Sequence, residues 1–197
     1  MNTKRLLTGF KQLALAPVTE NTIASYQCSA AVALPYAGGM TRTAKESTTD
    51  LYYDDELYAQ LKDVMGEDVE IRVAEIPMDK LEDFGLGSYN QETGVFEGQF
   101  NVVGKEFALR FAADTASGLP SYFNYRLFQL SGIRYDSHTT KKDSVTACEV
   151  IMTGVLKRPN LVGLAPWAMM QLAEDKANLA ACTAFLTAAE TKPTPAG

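Results

Sequence analysis

Thr49–Glu75, TDLYYDDELYAQLKDVMGEDVEIRVAE, is the stretch whose reading decides the fold. Its second half alternates, with Val69, Ile71 and Val73 on one side and Glu70 and Arg72 on the other. Strict period-two alternation marks a β-strand with one buried face. Its first half is a ribbon, Leu51-Tyr52-Tyr53-Asp54-Asp55-Glu56, too polar for a core and too aromatic for an ordinary linker. Tyrosine-rich surface with interspersed charge is typical of a protein–protein contact. No residue of the stretch falls in a recognisable catalytic pattern. The question it sets is whether the chain is an enzyme, a binding module or a subunit that adheres to copies of itself.

The chain has 197 residues and 46% apolar content, enough for one domain with a real core, or a domain plus an arm. Its net charge of -6 excludes wrapping DNA by phosphate neutralisation. Three widely spaced cysteines, Cys28, Cys148 and Cys182, form no CxxC pair. Reduced, buried thiols and folding in a cytoplasm are the expectation. Lys4 and Arg5 ahead of an apolar run give the N-terminus the outline of a signal peptide. Lys11 and Gln12 interrupt that run and no small-residue cleavage site follows, so a soluble, unprocessed chain is expected. No segment approaches the ~20 apolar residues that span a bilayer.

Working outward, residues 1–20 read as a short helix or arm ended by Pro17. Ile23–Leu34 has strand composition, and Met40–Ser47 returns after the break at Pro35 and Gly38-Gly39, making a long hairpin over 24–47. Its second strand has little to bury, so it is expected to be wet or paired with another chain. Pro77–Phe84 reads as a short helix ended by Gly85 and Gly87. Strands follow at Val95–Val103, with Phe96, Phe100 and Val102 inward, and at Lys105–Ala112, with Phe107, Leu109 and Phe111 inward. Ser121–Tyr135, bulged at Gly132, and its return Ser144–Lys157 flank a polar tip, and both arms carry apolar residues on both faces. Trp167–Ala189 reads as a helix before a Pro-rich tail. The expected fold is α+β, mainly β: a β-sandwich or small barrel over residues 1–160 with a flanking short helix and long hairpins. Residues 161–197 are then a C-terminal helix and tail, packed on that domain or on a neighbour.

The search for chemistry finds little. His138 is the only histidine and lies in the polar tip beside Ser137, where nothing preorganises a nucleophile. One histidine and unclustered cysteines make no zinc site, and there is no GxSxG or Walker loop. Asp54-Asp55-Glu56 could attract a hard cation but lacks the spacing and glycine of an EF-hand loop, so a solvated acidic turn is the better reading. Gly38-Gly39 lacks the following Lys of a phosphate cradle, and Lys141-Lys142 is too short a basic patch for nucleic acid. Trp167, Met169 and Met170 read as helix packing. No cofactor or metal is expected, and the emptiness of the search argues against an enzyme.

The ordered series of features resembles the major tail proteins, or tail tube proteins, of long non-contractile-tailed bacteriophages (siphophages). It runs from Leu13-Ala14-Leu15-Ala16-Pro17-Val18-Thr19 through the Leu34-Pro35 strand end to a Thr-rich segment leading into Leu51-Tyr52-Tyr53-Asp54-Asp55. It continues with Gly66-Glu67-Asp68-Val69-Glu70-Ile71, Leu81-Glu82-Asp83-Phe84-Gly85, Gly94-Val95, Phe107-Ala108-Leu109, Tyr125-Arg126-Leu127-Phe128 and a Thr-Lys-Lys-Asp tip. The resemblance covers roughly residues 5–158, and the segment Trp167–Ala189 has no counterpart in it. It implies a virion protein, assembled in the host cytoplasm, that polymerises as stacked hexameric rings into a hollow tube for DNA delivery. The implied partners are other copies, a tape-measure protein and phage DNA in the lumen, and tail terminator and initiator proteins, with no membrane. Long hairpins, expected at 24–47 and 121–157, would join those of neighbours into an inner β-barrel, and an acidic lumen would let DNA slide. The self-assembly contact expected on this basis is Leu51, Tyr52, Tyr53, Asp54, Asp55, Glu56 and Tyr58. A tube protein of a phage-like particle (a bacteriocin or gene-transfer agent) and a small-ligand-binding or enzymatic β-barrel are the alternatives.

Overall fold

A computed structural model describes residues 7–35, 37–53, 56–98, 104–115, 118–135 and 149–193. The first strands are β1 (Leu7–Asn21), β2 (Ser25–Cys28), β3 (Val32–Ala33), β4 (Ala37–Tyr53) and β5 (Glu56–Val73). Next come β6 (Gly87–Asn90), β7 (Val95–Gly98), β8 (Glu106–Thr115), β9 (Pro120–Tyr135) and β10 (Val150–Leu156). The chain ends with β11 (Trp167–Gln171), the helix α1 (Leu179–Thr187) and β12 (Glu190–Pro193). Ten strands make one sheet in the order β12-β2-β1-β8-β9-β10-β5-β4, with β3 also on β1 and β11 also on β9. β6 and β7 form a separate ribbon. The mainly-β expectation therefore holds, with one sheet supplying both walls of the core.

That sheet is strongly curled. β1 and β4 stand five strands apart in the pairing order, about 24 Å across a flat sheet, yet they approach within 8 Å between Cα atoms. No ladder joins them among the described residues, so the curl is barrel-like and open at that seam. Its interior takes the predicted face of β5 (Val69, Ile71, Val73) and the predicted face of β8 (Phe107, Leu109, Phe111). Leu13 and Leu15 of β1, Phe128 and Leu130 of β9 and Met152 of β10 complete it. The expected helix at 77–84 is only a 3-10 turn, Met78–Lys80. Leu81 and Phe84 after it plug one end of the core, Phe84 stacking on Phe107 at 5.3 Å. Truncating such a fully buried ring costs about 3–5 kcal/mol.

β8 is buried on both faces, and the C-terminal segment explains why. Small residues on its outer face, Ala108 and Ala112, let other elements approach closely. Tyr26, Cys28 and Leu161 cover Ala108, while Leu172, Cys182 and Leu186 cover Ala112. At nine residues α1 is too short to be stable alone, so it forms by docking Cys182 and Leu186. The expected helix over 167–189 is thus mostly something else. Trp167–Gln171 is a strand on β9, Trp167 lying opposite Tyr125, and the chain then turns with Lys176 at a φ of 57°. Asn178 fastens that turn: its side-chain carbonyl accepts from Ala173 N–H at 2.8 Å, and its amide donates to Gln171 O at 3.0 Å.

Three further expectations are corrected. Residues 1–20 contain no helix among those described; β1 alternates Leu13 and Leu15 inward against Ala14 and Ala16 outward. The hairpin over 24–47 does not exist, because β4 pairs with β5 while β2 pairs with β1 and β12. Cross-strand ion pairs, Arg42 with Glu67 at 3.4 Å and Lys45 with Asp68 at 3.9 Å, suit β4 to β5. Gly38-Gly39 lies at a bulge in β4 between Ala37 and Gly39 and leaves the strand unbroken. The expected strand 95–103 is described only as β7, paired with β6. The second expected hairpin is present: β9 and β10 pair antiparallel, with a register irregularity beside Gly132.

A polar cluster locks the C-terminus to the sheet. Glu190 of β12 accepts from Arg126 Nε at 3.1 Å and from Asn124 Nδ2 at 2.9 Å, and lies 3.8 Å from Arg110 Nη2. Arg110, with a side chain 2% exposed, donates to the α1 C-terminal carbonyls of Leu186 (3.3 Å) and Ala188 (2.5 Å) and to Cys28 Sγ (3.1 Å). Tyr26 donates to Arg126 O at 2.6 Å. Burial pushes the Tyr26 phenol and the Cys28 thiol up.

Candidate assembly surface

β5 carries two neighbours over only part of its length. β10 covers Glu67 to Val73, and β4 runs beside the whole strand. Beyond Gly66, β4 and β5 pair only with each other among the described residues, from Glu46↔Val64 to Tyr53↔Glu56. At about 3.4 Å per residue, these eight paired positions carry the ribbon roughly 27 Å beyond the sheet. A two-stranded ribbon without a third strand or a covering helix is marginal in water. Among the described residues β4 is also the last strand of the main sheet, with no ladder on its outer side, and such an edge is a template for another strand.

Glycine and bulge chemistry set the ribbon's exit. Gly66 has a φ of 147°, and a Cβ there would meet Leu156 O at 2.4 Å. The register shift between Lys45 and Glu46 leaves Met65 as the extra residue, and a second shift between Leu51 and Tyr52 leaves Tyr58 as another. Bulges increase local twist and bend a strand away from its sheet.

The structure brings Leu51, Tyr52, Tyr53, Glu56 and Tyr58 together at the far end of this arm. Asp54 and Asp55 lie outside the described residues, as do His138, Lys141, Lys142 and Cys148. The sequence singles out Leu51–Tyr58 by composition alone and does not reveal the β4–β5 arm that carries it; the signal available was the run of charge pairs between 42–45 and 67–68.

An aromatic line connects the core to the arm's root. Phe10 meets Phe111 in a tilted contact at 5.2 Å, Phe111 stacks on Phe123 at 5.0 Å, and Tyr125 follows at 6.1 Å from Phe111 and 6.4 Å from Trp167. Arg42 of β4 donates to the Tyr125 hydroxyl and sits over its ring at 5.3 Å. Burial raises the Tyr125 phenol, outweighing the opposing pull of Arg42. A cleft of about 190 Å³ opens here, with Gly66, Tyr125, Lys157, Arg158 and Trp167 in its wall. Trp167 and Met169, expected inside a helix, are 49% and 41% exposed on β11.

Cys28 and Cys182 are free and buried. Among the described residues no group of three His, Cys, Asp or Glu side chains could hold a metal ion, and no helix is long and apolar enough to cross a membrane. Compared with known families and with curated proteins, the chain matches no family model and no curated sequence.

Proposed function

We propose that the chain is a structural subunit that polymerises into the tail tube of a long-tailed phage, the conduit for DNA delivery. The observation that carries this reading is the β4–β5 arm: eight strand pairs that leave the sheet with no third strand among the described residues, at the end of the sheet's pairing order. In a ring of copies, arms and edges find neighbours, which supplies the partner that an isolated ribbon lacks. The ordered resemblance to tail tube proteins, and a composition without an evident catalytic apparatus, support the same reading. The net charge of -6 suits a lumen that repels phosphate, so that DNA passes with a tape-measure protein and without sequence-specific binding. The same subunit would serve the tube of a phage-like particle; packaged DNA separates the two.

The test removes the arm and spares the sheet. Residues 47–63 are replaced by Asn-Gly, a two-residue turn that closes the hairpin at Glu46↔Val64. We expect a folded monomer with the parent's thermal transition, while the parent sediments as a polymer at high concentration. An excised chain that still polymerises would refute the arm's role.

A further inference from the structure

The arm needs a receptor, and the structure offers one at the arm's own root. The cleft beside Gly66 places Tyr125, Pro166 and the half-exposed Trp167 next to Lys157 and Arg158. The Lys157 ammonium donates to the neutral Gln129 side chain, and neither Lys157 nor Arg158 has an ion pair among the described residues. One carboxylate, Glu67, also lines the cleft, facing Arg42 at 3.4 Å, so the two cations Lys157 and Arg158 outnumber it. On a chain of net charge -6 this is a local excess of positive charge beside exposed aromatic surface. The described strands of the arm are the opposite: Glu46, Asp50, Glu56 and Asp63 against one cation, Lys62, with Tyr52, Tyr53 and Tyr58 among them.

Resting on the polymerisation reading above, we propose that the arm of one copy docks in the basic-aromatic root cleft of a second copy. The two surfaces complement each other in charge, and both carry the aromatic residues that dominate interface energetics. They also lie at opposite ends of one element, about 27 Å apart. Where each copy gives its arm to one neighbour and receives the arm of another, the contact is heterologous and propagates into rings or filaments; only reciprocal exchange would close it at a pair. Arg42 and Gly66, at the base of the ribbon, are positioning residues for this contact.

Trp167 is the only tryptophan, so its emission reads this cleft alone. The experiment follows acrylamide quenching of Trp167 and sedimentation across a concentration series of the full chain. We expect quenching to fall as polymer appears. Lys157→Glu with Arg158→Glu should raise the threshold concentration for polymer roughly tenfold or more. Adding Asp50→Lys and Glu56→Lys to that variant should lower the threshold again. Parent polymer in which Trp167 stays as quenchable as in the monomer would overturn the cleft and leave the polymer reading standing. A reversed-charge variant that polymerises like its parent would do the same. Absence of any sedimenting species at every concentration, with and without a tail initiator complex, would sink both.

Discussion

Glu190→Gln is the substitution whose consequence the structure fixes most tightly. The carboxylate sits between two guanidiniums whose side chains are 2% and 10% exposed, and is itself 15% exposed. Removing one partner of a buried ion pair costs about 3–5 kcal/mol, because a charge is left buried without compensation. Here Arg110 keeps the carbonyls of Leu186 and Ala188, Arg126 keeps Ala165 O at 2.7 Å, and glutamine still offers one acceptor. The loss therefore falls at the lower end, about 3 kcal/mol. The exposed Lys192, 4.0 Å away, adds little. For a chain of this size that loss lowers the thermal midpoint by about 6–12 °C. Thermal unfolding followed by Trp167 emission and by far-ultraviolet circular dichroism measures it, coincident transitions supporting a two-state treatment. A midpoint within 2 °C of the parent, on the order of 0.5 kcal/mol, would refute the idea that Glu190 holds the C-terminal strand to the sheet.

Other positions separate steric from conformational effects. Gly66→Ala should destabilise by about 2–3 kcal/mol, because its Cβ meets Leu156 O at 2.4 Å. Gly94→Ala, at a φ of 67° with open space around it, should cost only about 1 kcal/mol; urea midpoints of both compare them. Stability should fall in alkali: the Tyr26 phenol is raised by burial, so its contribution is complete below the unfolded-state value of about 10 and is lost as pH climbs through the folded-state value. Tyr26→Phe should start less stable, having lost the bond to Arg126 O, and decline less steeply between pH 9 and 11, about the range of free phenol ionisation. An identical slope in melting temperature against pH would contradict this.

What the sequence made legible was set by alternation. Val69, Ile71 and Val73 and Phe107, Leu109 and Phe111 point where their period-two pattern directs them. Alternation says nothing of a second covering layer. Arg110 reads as a solvated outer residue until α1 and Glu190, 80 residues further along, close over it. Strand partners were likewise ambiguous: Met40–Ser47 lies close in sequence to two strand-like runs, and only the Arg42–Glu67 and Lys45–Asp68 pairs select the later one. Trp167–Ala189 is rich in Ala, Leu and Met and has neither Gly nor Pro, so local propensity gives a helix. Pairing of Trp167–Gln171 with β9 and the positive φ at Lys176 override it. Of the candidate site, the tip Leu51–Tyr58 was visible as composition. The cleft proposed to receive it was not, since Trp167, Lys157 and Arg158 meet Gly66 only once β10 pairs with β5 and β11 with β9.

Electron microscopy of the concentrated purified protein, with or without a tail initiator complex, tests polymerisation most directly. We expect hollow tubes of stacked rings with the β4–β5 arms bridging neighbouring copies. Dispersed monomers at every concentration, seeded and unseeded, would contradict it.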